Sequence, residues 1–282
     1  VNGAYGLREK AQMKGMDQIV AWSRAWVESQ DSNRQVEFTD TSSKRRTCAL
    51  HPDWGEDEWR KLVGRVADLK KAYKQLPSCP SHKCFAVISA KDPSGTPKFF
   101  RALSLMFGTT AAVFAFLRFS RAIAAIASHY LNLITVEFFD DFTQIETEAT
   151  ADSGQWALEQ LLEVLGWDLS TGEDKRRPFA KSFISLGVLV DFTKIAAREV
   201  TLRNKPGRVE AIILEVKEIL SSGVLDFKSA LSLKGKLYFS ESQTYGLALA
   251  PVSRILSIWA SRGGRRKLDD VLSSALKSIK IY

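Results

Sequence analysis

The segment that most constrains this chain is residues 136–146, VEFFDDFTQIE, because it places two adjacent aspartates inside an apolar and aromatic run. Strand-like stretches on both sides predict a β-hairpin with Asp140 and Asp141 at its tip. Burying charge is costly unless something compensates it. Tight two-residue hairpins also favour Asn-Gly or Asp-Gly over Asp-Asp. Two interpretations stay open at this point: an ordinary surface turn, and a site for a divalent metal.

A third carboxylate, Asp68, ends an apolar stretch, KLVGRVADL, that predicts a strand leading into a short helix, DLKKAYKQL. From the end of a strand a side chain can reach the tip of a neighbouring strand, where carboxylates repel each other unless cations lie between them. Two Mg²⁺ ions roughly 3.5 to 4 Å apart form the two-metal arrangement of phosphoryl transfer. Mg²⁺ needs only one or two carboxylates besides substrate phosphates. The alternative role of Asp68 is a helix cap.

Hydrophobic periodicity predicts an α+β fold in which helices pack on one face of a mostly antiparallel sheet. The order expected from residue 61 to 192 is strand, helix, strands, helix, hairpin, helix, strand. Within it, residues 111–131 predict a long helix, Ser153 is the expected cap of a helix that ends at Gly166, and residues 182–192 predict one strand. Residues 19–27 predict a helix, residues 30–58 a loop or weak strands, and the chain from Arg208 onward several helices.

The basic charge is concentrated in the last third of the chain. Residues 1–192 hold 24 of the 40 Lys/Arg and 24 of the 32 Asp/Glu, which leaves 16 and 8 for residues 193–282. A basic module beside a neutral one suits a polyanion such as nucleic acid, although a solvated charged face explains it equally well. With 45% hydrophobic residues the chain is expected to be globular.

Several function classes find little support in the sequence. The longest uncharged stretch, residues 102–117, is short for a membrane span and is bracketed by Arg101 and Arg118, so a soluble protein without membrane contact is expected. Three cysteines do not make a disulfide framework; with His82 they allow a zinc site, but incidental thiols are favoured. Because the chain begins at Val1 without a targeting segment, we expect a piece of a longer gene product.

Six stretches in one order resemble the reverse transcriptases, the RNA-directed DNA polymerases of retrotransposons and other retroelements. They are VADLKKAYKQLP (66–77, motif A), SLMFGTTAAVFAFLR (104–118, motif B, with Met106 in place of the usual proline), FFDDF (138–142, motif C), LGWDLSTGEDKRRPF (165–179, motif D), FISLGV (183–188, the primer grip of motif E, with Leu186 and Gly187) and LKGKLYFSESQTYG (233–246, the helical segment after the palm). Agreement of several motifs in order is more specific than any single match.

The resemblance implies a role for each matching residue. Asp68, Asp140 and Asp141 would be the metal ligands for two Mg²⁺ ions, or Mn²⁺, with Asp141 the weaker ligand. Tyr73 would exclude a 2′-hydroxyl, which disfavours an RNA-templated RNA polymerase, although a packed core tyrosine is the alternative. Lys175 would deliver a proton or positive charge to the departing diphosphate, although EDKRR also suits a solvated loop.

Phe107 and Gly108 would line the dNTP pocket, although a helix start also explains Gly108. The implied fold is a right-hand polymerase: a partial fingers-side segment (1–62), a ferredoxin-like palm with motifs A to E (63–192) and a basic helical thumb (193–282). The implied partners are an RNA/DNA primer-template and dNTPs. The other hypothesis is a catalytically incomplete retroelement remnant that only binds nucleic acid or has a structural role. The implied location is intracellular, in the nucleus or the cytoplasm; the sequence does not predict an oligomeric state.

Overall fold

The computed structural model describes residues 14–29, 35–39, 42–52, 54–55, 57–170, 172, 177–242, 244 and 246–279. The helices in this part are α1 (Met16–Glu28), α2 (Thr110–Leu131), α3 (Ala151–Val164), α4 (Arg208–Ser222), α5 (Phe227–Ser242), α6 (Ala250–Ser261) and α7 (Asp270–Lys277). The strands are β1 (Gln35–Thr39), β2 (Arg45–Ala49), β3 (Leu62–Asp68), β4 (Val87–Lys91), β5 (Pro97–Arg101), β6 (Ile134–Phe138), β7 (Asp141–Thr147), β8 (Ser182–Ser185), β9 (Val188–Asp191), β10 (Thr201–Asn204), β11 (Val224–Asp226) and β12 (Arg265–Lys267).

The described residues form two compact units. The first comprises the chain up to Phe183 together with Phe192–Val200, and the second comprises Ile184–Asp191 together with the chain from Thr201 onward. Both contain helices and short antiparallel strands, so the α+β prediction is confirmed at that level. The ferredoxin-like palm arrangement and the three predicted domain boundaries stay predictions.

A three-stranded antiparallel sheet in the order β3-β7-β6 is the centre of the first unit. Strand β7 pairs with β3 from Leu62↔Thr147 to Asp68↔Asp141, and with β6 up to Phe138↔Asp141. Cross-strand partners share one face of a sheet and alternate residues lie on opposite faces. Ala67 and Phe142 are such partners and pack in one core cluster with residues of both α2 and α3. The two helices therefore cover the same face.

Helix α2 is the longest helix described and begins as the sequence predicts. Gly108 has a φ of 93°, and the Thr109 side chain caps the helix by accepting from the backbone N–H of Ala112. Among the described helices, α2 is long and apolar enough to cross a membrane. Its residues Phe116 and Ala127 are fully buried in the core cluster, where one Phe side chain contributes about 1.5–3 kcal/mol.

A buried arginine ties β3, β7 and α3 together. The Arg65 side chain is 2% exposed and donates from Nε to Gln144 Oε1 at 2.7 Å and from Nη1 to Glu159 Oε1 at 2.9 Å. A buried cation needs such partners because its desolvation costs several kcal/mol. Next to Arg65, Gly64 has no side chain, and the Phe183 ring therefore lies directly against strand β3. A Cβ atom at Gly64 would come within 2.2 Å of that ring.

Two elements differ from the sequence-based prediction. Ser153 does not cap α3, because the helix begins at Ala151 after Thr150, and the Ser153 hydroxyl donates to the Thr150 carbonyl at 2.9 Å. The predicted single strand at 182–192 is two strands, β8 and β9, separated by Leu186 and Gly187. Both turn residues have positive φ, 50° and 71°, as the type I′ hairpin turn requires.

The core of the second unit is formed by α4 to α7 and the β11–β12 pair. Its buried residues include Ile212, Leu233, Leu256, Trp259 and Leu272. The Trp259 indole donates to the Leu225 carbonyl at 3.2 Å, and the Arg266 guanidinium lies 4.3 Å from the Trp259 ring centroid. The helical prediction for the chain from Arg208 onward is confirmed, with two short strands added.

Candidate functional site

The main chain brings the three predicted aspartates to one end of the β3-β7-β6 sheet. Asp68 is the last residue of β3 and faces Asp141, the first residue of β7, as its register partner. The backbone N–H of Leu69 donates to the Asp140 carbonyl at 3.1 Å, so Asp140 is adjacent as well. Asp68 ends a strand rather than capping a helix, which removes the alternative role considered for it.

The hairpin turn is shifted by one residue from the prediction. Because Phe138 pairs with Asp141, the two turn residues are Phe139 and Asp140, and Asp141 already belongs to β7. Phe139 has a φ of 52°, a region that bulky residues rarely adopt and that costs of order 1–3 kcal/mol. Glycine would adopt this φ without strain, so the chain keeps a strained aromatic residue beside the carboxylates.

A buried serine on α2 holds this turn. The Ser120 hydroxyl, on a residue 1% exposed, donates to the Phe139 carbonyl at 2.6 Å. A buried carbonyl without a donor would cost free energy, so the hydrogen bond helps to maintain the strained conformation. Nothing in the sequence singled out Ser120, because a serine in an Ala- and Phe-rich helix gives no signal of its tertiary partner.

A second serine that the sequence did not indicate contacts Asp68 directly. The Ser170 hydroxyl donates to Asp68 Oδ2 at 2.6 Å, and the Ser170 backbone N–H donates to the Asp68 carbonyl at 2.8 Å. Ser170 follows Trp167 and Asp168 in the stretch that resembles motif D. The Asp68 carboxylate is therefore oriented from the segment after α3.

An oxygen-only set of carboxylates is the donor chemistry that Mg²⁺ prefers. Asp68, Asp140 and Asp141 supply that chemistry at the sheet end, and one or two of them suffice beside substrate phosphates. In the part of the chain that the structure describes, no group of three His, Cys, Asp or Glu side chains is gathered closely enough to hold a metal ion. The donor types thus fit Mg²⁺, while the three aspartate side chains do not together form such a three-ligand group.

The three cysteines for which the sequence allowed a zinc site lie among the residues that the structure describes. Cys48, Cys79 and Cys84 are exposed free thiols, and with His82 they belong to no three-residue metal group there. Hydrogen bonds with Ser81 lower the pKa of the Cys79 thiol; the one to the Ser81 side chain has the largest effect, and the one to its backbone follows. The structure therefore lends the zinc interpretation no support.

Tyr73 packs against the core cluster of the first unit. Its ring stacks on Phe116 of α2 at 4.6 Å between centroids and meets Phe107 edge-on at 5.3 Å. Burial raises the pKa of the Tyr73 hydroxyl, and the negative charge of Asp140 raises it further. Tyr73, the residue predicted to exclude a 2′-hydroxyl, is thus packed on the core, as the alternative of a core tyrosine stated. It is also close enough to Asp140 for the charge of that carboxylate to raise its pKa.

Phe107 and Gly108 lie just before α2 beside Tyr73. Phe107 is 84% exposed, and a Cβ on Gly108 would meet no atom within 4 Å, so this corner is open. Gly108 is required by its positive φ rather than by close packing. Lys175, the remaining predicted catalytic residue, lies outside the described residues.

In the second unit the Leu186–Gly187 turn is held by a basic segment. The backbone N–H of Lys205 donates to the Gly187 carbonyl at 3.1 Å. The Arg208 guanidinium lies against Gly187, where a Cβ would come within 2.1 Å of Nη2. It also lies 4.8 Å from the Phe239 ring centroid, and burial lowers the pKa of Arg208. Sequence reasoning did not identify Arg208 as the contact of this turn.

A cleft of about 690 Å³ opens beside Arg208, between the start of α4 and the middle of α5. Its lining includes Lys205, Arg208, Ser232, Gly235, Lys236 and Phe239, and none of the described lining residues is acidic. The basic excess of the last third of the chain is thus partly gathered on one concave surface. Lys236 also pairs with Glu215 at 2.7 Å.

No protein-family model matches the chain, and no curated protein sequence matches it. Among solved structures, a similar chain is the foamy viral protease-reverse transcriptase in complex with double-stranded DNA. The two chains are 13% identical, with a TM-score of 0.49 over 86% of this chain and 42% of the other. This chain therefore spans less than half of that neighbour's length.

Proposed function

We propose that this chain acts as a reverse-transcriptase-like nucleotidyltransferase, which adds dNTPs to the 3′ end of a primer on an RNA or DNA template. The observation that carries the proposal is the register of Asp68 with Asp141 at the end of the sheet. The carbonyl of the neighbouring Asp140 accepts a hydrogen bond from the Leu69 backbone N–H, and the negative charge of Asp140 raises the pKa of Tyr73. Carboxylates at one sheet end beside a cluster of aromatic rings suit phosphoryl transfer on a nucleotide.

In this proposal Asp68 and Asp140 hold the metal ions and Asp141 assists. Two Mg²⁺ ions, or Mn²⁺, would activate the primer hydroxyl and stabilise the leaving diphosphate. Ser170 keeps the Asp68 carboxylate oriented by its hydrogen bond to Oδ2. Ser120 keeps Asp140 in place through the carbonyl of the preceding Phe139. Both serines act through their neighbours and are positioning residues.

The nucleotide pocket is assigned to Tyr73, Phe107 and Gly108. Stacking on Phe116 fixes the Tyr73 ring, so it can exclude a 2′-hydroxyl by shape. Exposed Phe107 offers a ring beside it. Lys175 is proposed to deliver a proton or positive charge to the diphosphate, on the sequence resemblance alone. The basic cleft at Lys205, Arg208 and Lys236 would contact the backbone of the primer-template without reading its sequence.

A second candidate function is nucleic-acid binding without catalysis, as in a retroelement remnant. It is favoured by one observation: the described side chains form no three-residue metal group, whereas the basic cleft needs no metal. Salt-dependent binding to duplexes with no metal-dependent nucleotide addition would support it.

Primer extension on a primed homopolymer RNA with the matching dNTP and Mg²⁺ tests the first function. Wild-type chain should extend the primer only with divalent metal, and Asp140→Asn should lose at least about a hundredfold in rate, because charge stabilisation in the transition state is lost. Asp152→Asn, an exposed aspartate at the start of α3, is the matched control and should keep its activity. Equal extension by Asp140→Asn and wild type would reject the assignment. Duplex binding without any extension would favour the second candidate.

A further inference from the structure

Both strands of the β4–β5 hairpin are exposed along their whole length. Every residue of Val87–Lys91 and of Pro97–Arg101 is exposed, and the two strands pair only with each other among the described residues. A lone two-stranded hairpin is marginally stable in water. This one nevertheless carries several large apolar side chains on its surface: Val87, Ile88, Phe99 and Phe100, with Phe85 just before it.

The aromatic exposure is large enough to indicate a binding surface. Phe99 is 72% exposed and Phe100 is 54% exposed. Scattered apolar residues on a surface are normal, whereas a contiguous apolar patch marks an interaction site. The register divides the four large strand side chains between the two faces of the hairpin: Val87 and Phe99 lie on one face, and Ile88 and Phe100 on the other, so each face carries an exposed apolar pair with one phenylalanine.

The charge on the same hairpin is positive. Residues 83–101 contain four basic residues, Lys83, Lys91, Lys98 and Arg101, and one acidic residue, Asp92. Asp92 is engaged inside the turn: it accepts from the Ser94 hydroxyl at 2.5 Å and from the Thr96 backbone N–H at 2.9 Å, and it lies 3.5 Å from Lys98. The surface therefore offers cations and aromatic rings together.

On one face of the hairpin, basic side chains lie on both sides of an aromatic ring. Ser89 pairs with Phe99, Val87 with Arg101 and Lys91 with Pro97, and these three pairs lie on the same side of the two-stranded sheet. Phe99 is thus flanked on its own face by Lys91 and Arg101. Bases stack on aromatic rings while cations contact the phosphates between them, which is how proteins bind single-stranded nucleic acid.

The β4–β5 hairpin is continuous in the chain with the segments that contain Tyr73 and Phe107, the residues assigned to the nucleotide pocket. At its base the Ser78 N–H donates to the Leu103 carbonyl at 2.9 Å, and the Leu105 N–H donates to the Leu76 carbonyl at 2.8 Å. Tyr73 precedes one side of this short ladder and Phe107 follows the other, and their rings are in contact. The exposed face and the pocket therefore belong to one continuous piece of chain.

We propose that the Phe99 face of the β4–β5 hairpin binds an unpaired nucleic-acid strand, by base stacking on Phe99 and phosphate contacts from Lys91 and Arg101. The inference deepens the proposed function, because it assigns the single-stranded part of the template to a surface that lies outside the carboxylate site. Charge complementarity favours a polyanion over a second copy of this chain, since the basic hairpin of one copy would repel that of the other.

The test is fluorescence anisotropy of a labelled single-stranded oligothymidylate with the 282-residue chain in EDTA, so that catalysis plays no part. Phe99→Val keeps a β-branched residue suited to a strand but removes the ring. It should weaken binding by roughly fivefold to a hundredfold, the range that loss of one stacked base gives. Lys91→Gln should also weaken binding and lower the dependence of log affinity on log salt by about 0.7.

Trp156→Ala is the control, because Trp156 is an exposed aromatic residue of α3 and not of the hairpin, and this variant should bind like wild type. Unchanged binding by Phe99→Val, or equal losses for Phe99→Val and Trp156→Ala, would overturn the proposal. Self-association of wild type that Phe99→Val abolishes, without an effect on oligonucleotide binding, would also overturn it and assign the face to a second copy. Failure of nucleotide addition in Mg²⁺ leaves this result untouched, so the two proposals fail separately.

Discussion

The first unit contains two phenylalanine-rich hairpins of opposite character, β6–β7 and β4–β5. In β6–β7 most residues are buried, and contacts from α2 and from β3 hold the strands. In β4–β5 every residue is exposed. Both are antiparallel strand pairs that contain phenylalanine, but β6–β7 pairs with β3 and packs against α2, whereas β4–β5 pairs with no other strand among the described residues. The covered hairpin can hold carboxylates in fixed positions, whereas the uncovered one can adapt to a flexible partner.

Breaking the support of the covered sheet should have the largest effect on stability. Arg65→Met removes a buried cation and the ion pair that it makes with Glu159, which should cost about 3–5 kcal/mol in the free energy of unfolding. Denaturant unfolding measures this. The double variant Arg65→Met, Glu159→Leu should recover part of the loss, because both charges are gone while the buried Gln144 side chain still lacks the Arg65 donor. Lys91→Met on the exposed hairpin is the comparison and should stay within about 0.5 kcal/mol of wild type. Equal losses at Arg65 and Lys91 would contradict the contrast between the hairpins.

Loosening only the turn of the covered hairpin should have an intermediate effect. Ser120→Ala leaves the Phe139 carbonyl without its hydroxyl donor, at a cost of about 1–3 kcal/mol in the free energy of unfolding. Primer extension should fall in the same variant, because the neighbouring Asp140 is less well held. Ser257→Ala removes a hydrogen bond made only within α6 and should change neither quantity appreciably. A Ser120→Ala variant with wild-type stability would show that the turn does not depend on α2.

The smallest predicted effect concerns a partly buried carboxyl of β7. Burial raises the pKa of Glu146, against an opposing hydrogen bond from Thr150, and Gly154 leaves room for the side chain. Because the folded-state pKa lies above the unfolded value of about 4.3, protonation favours the folded state. This contribution is complete below the unfolded pKa and is lost as pH rises through the folded pKa.

Glu146→Gln should therefore be slightly more stable than wild type at pH 7 and lose that advantage at pH 4. Thermal unfolding across this pH range measures the difference. The exposed Glu163→Gln serves as the control, with no pH-dependent gain expected. A gain for Glu146→Gln that grows towards low pH would reverse the sign and contradict the burial argument.

Local pattern was enough to predict the α+β class, the long helix and the presence of the hairpin at Asp140, because periodicity and turn residues determine them. It did not predict that Phe139 rather than Asp141 occupies the turn, since that choice depends on a hydrogen bond from Ser120 nineteen positions earlier. From the sequence alone, an arginine at position 65 is expected on the exposed face of its strand. Its burial depends on hydrogen bonds to Gln144 and Glu159. Ser170 reaches Asp68 over a separation of 102 residues. Such long-range contacts leave no local signal.

The central claim is that the aspartates at the end of the covered sheet bind divalent metal. Titration of the chain with Mn²⁺, with free Mn²⁺ followed by electron paramagnetic resonance, tests it most directly. We predict that wild type and Asp152→Asn bind Mn²⁺ alike, and that Asp68→Asn and Asp140→Asn each weaken binding at least about tenfold, because each loses a charged oxygen ligand. Identical titrations for wild type, Asp68→Asn and Asp140→Asn would contradict the claim.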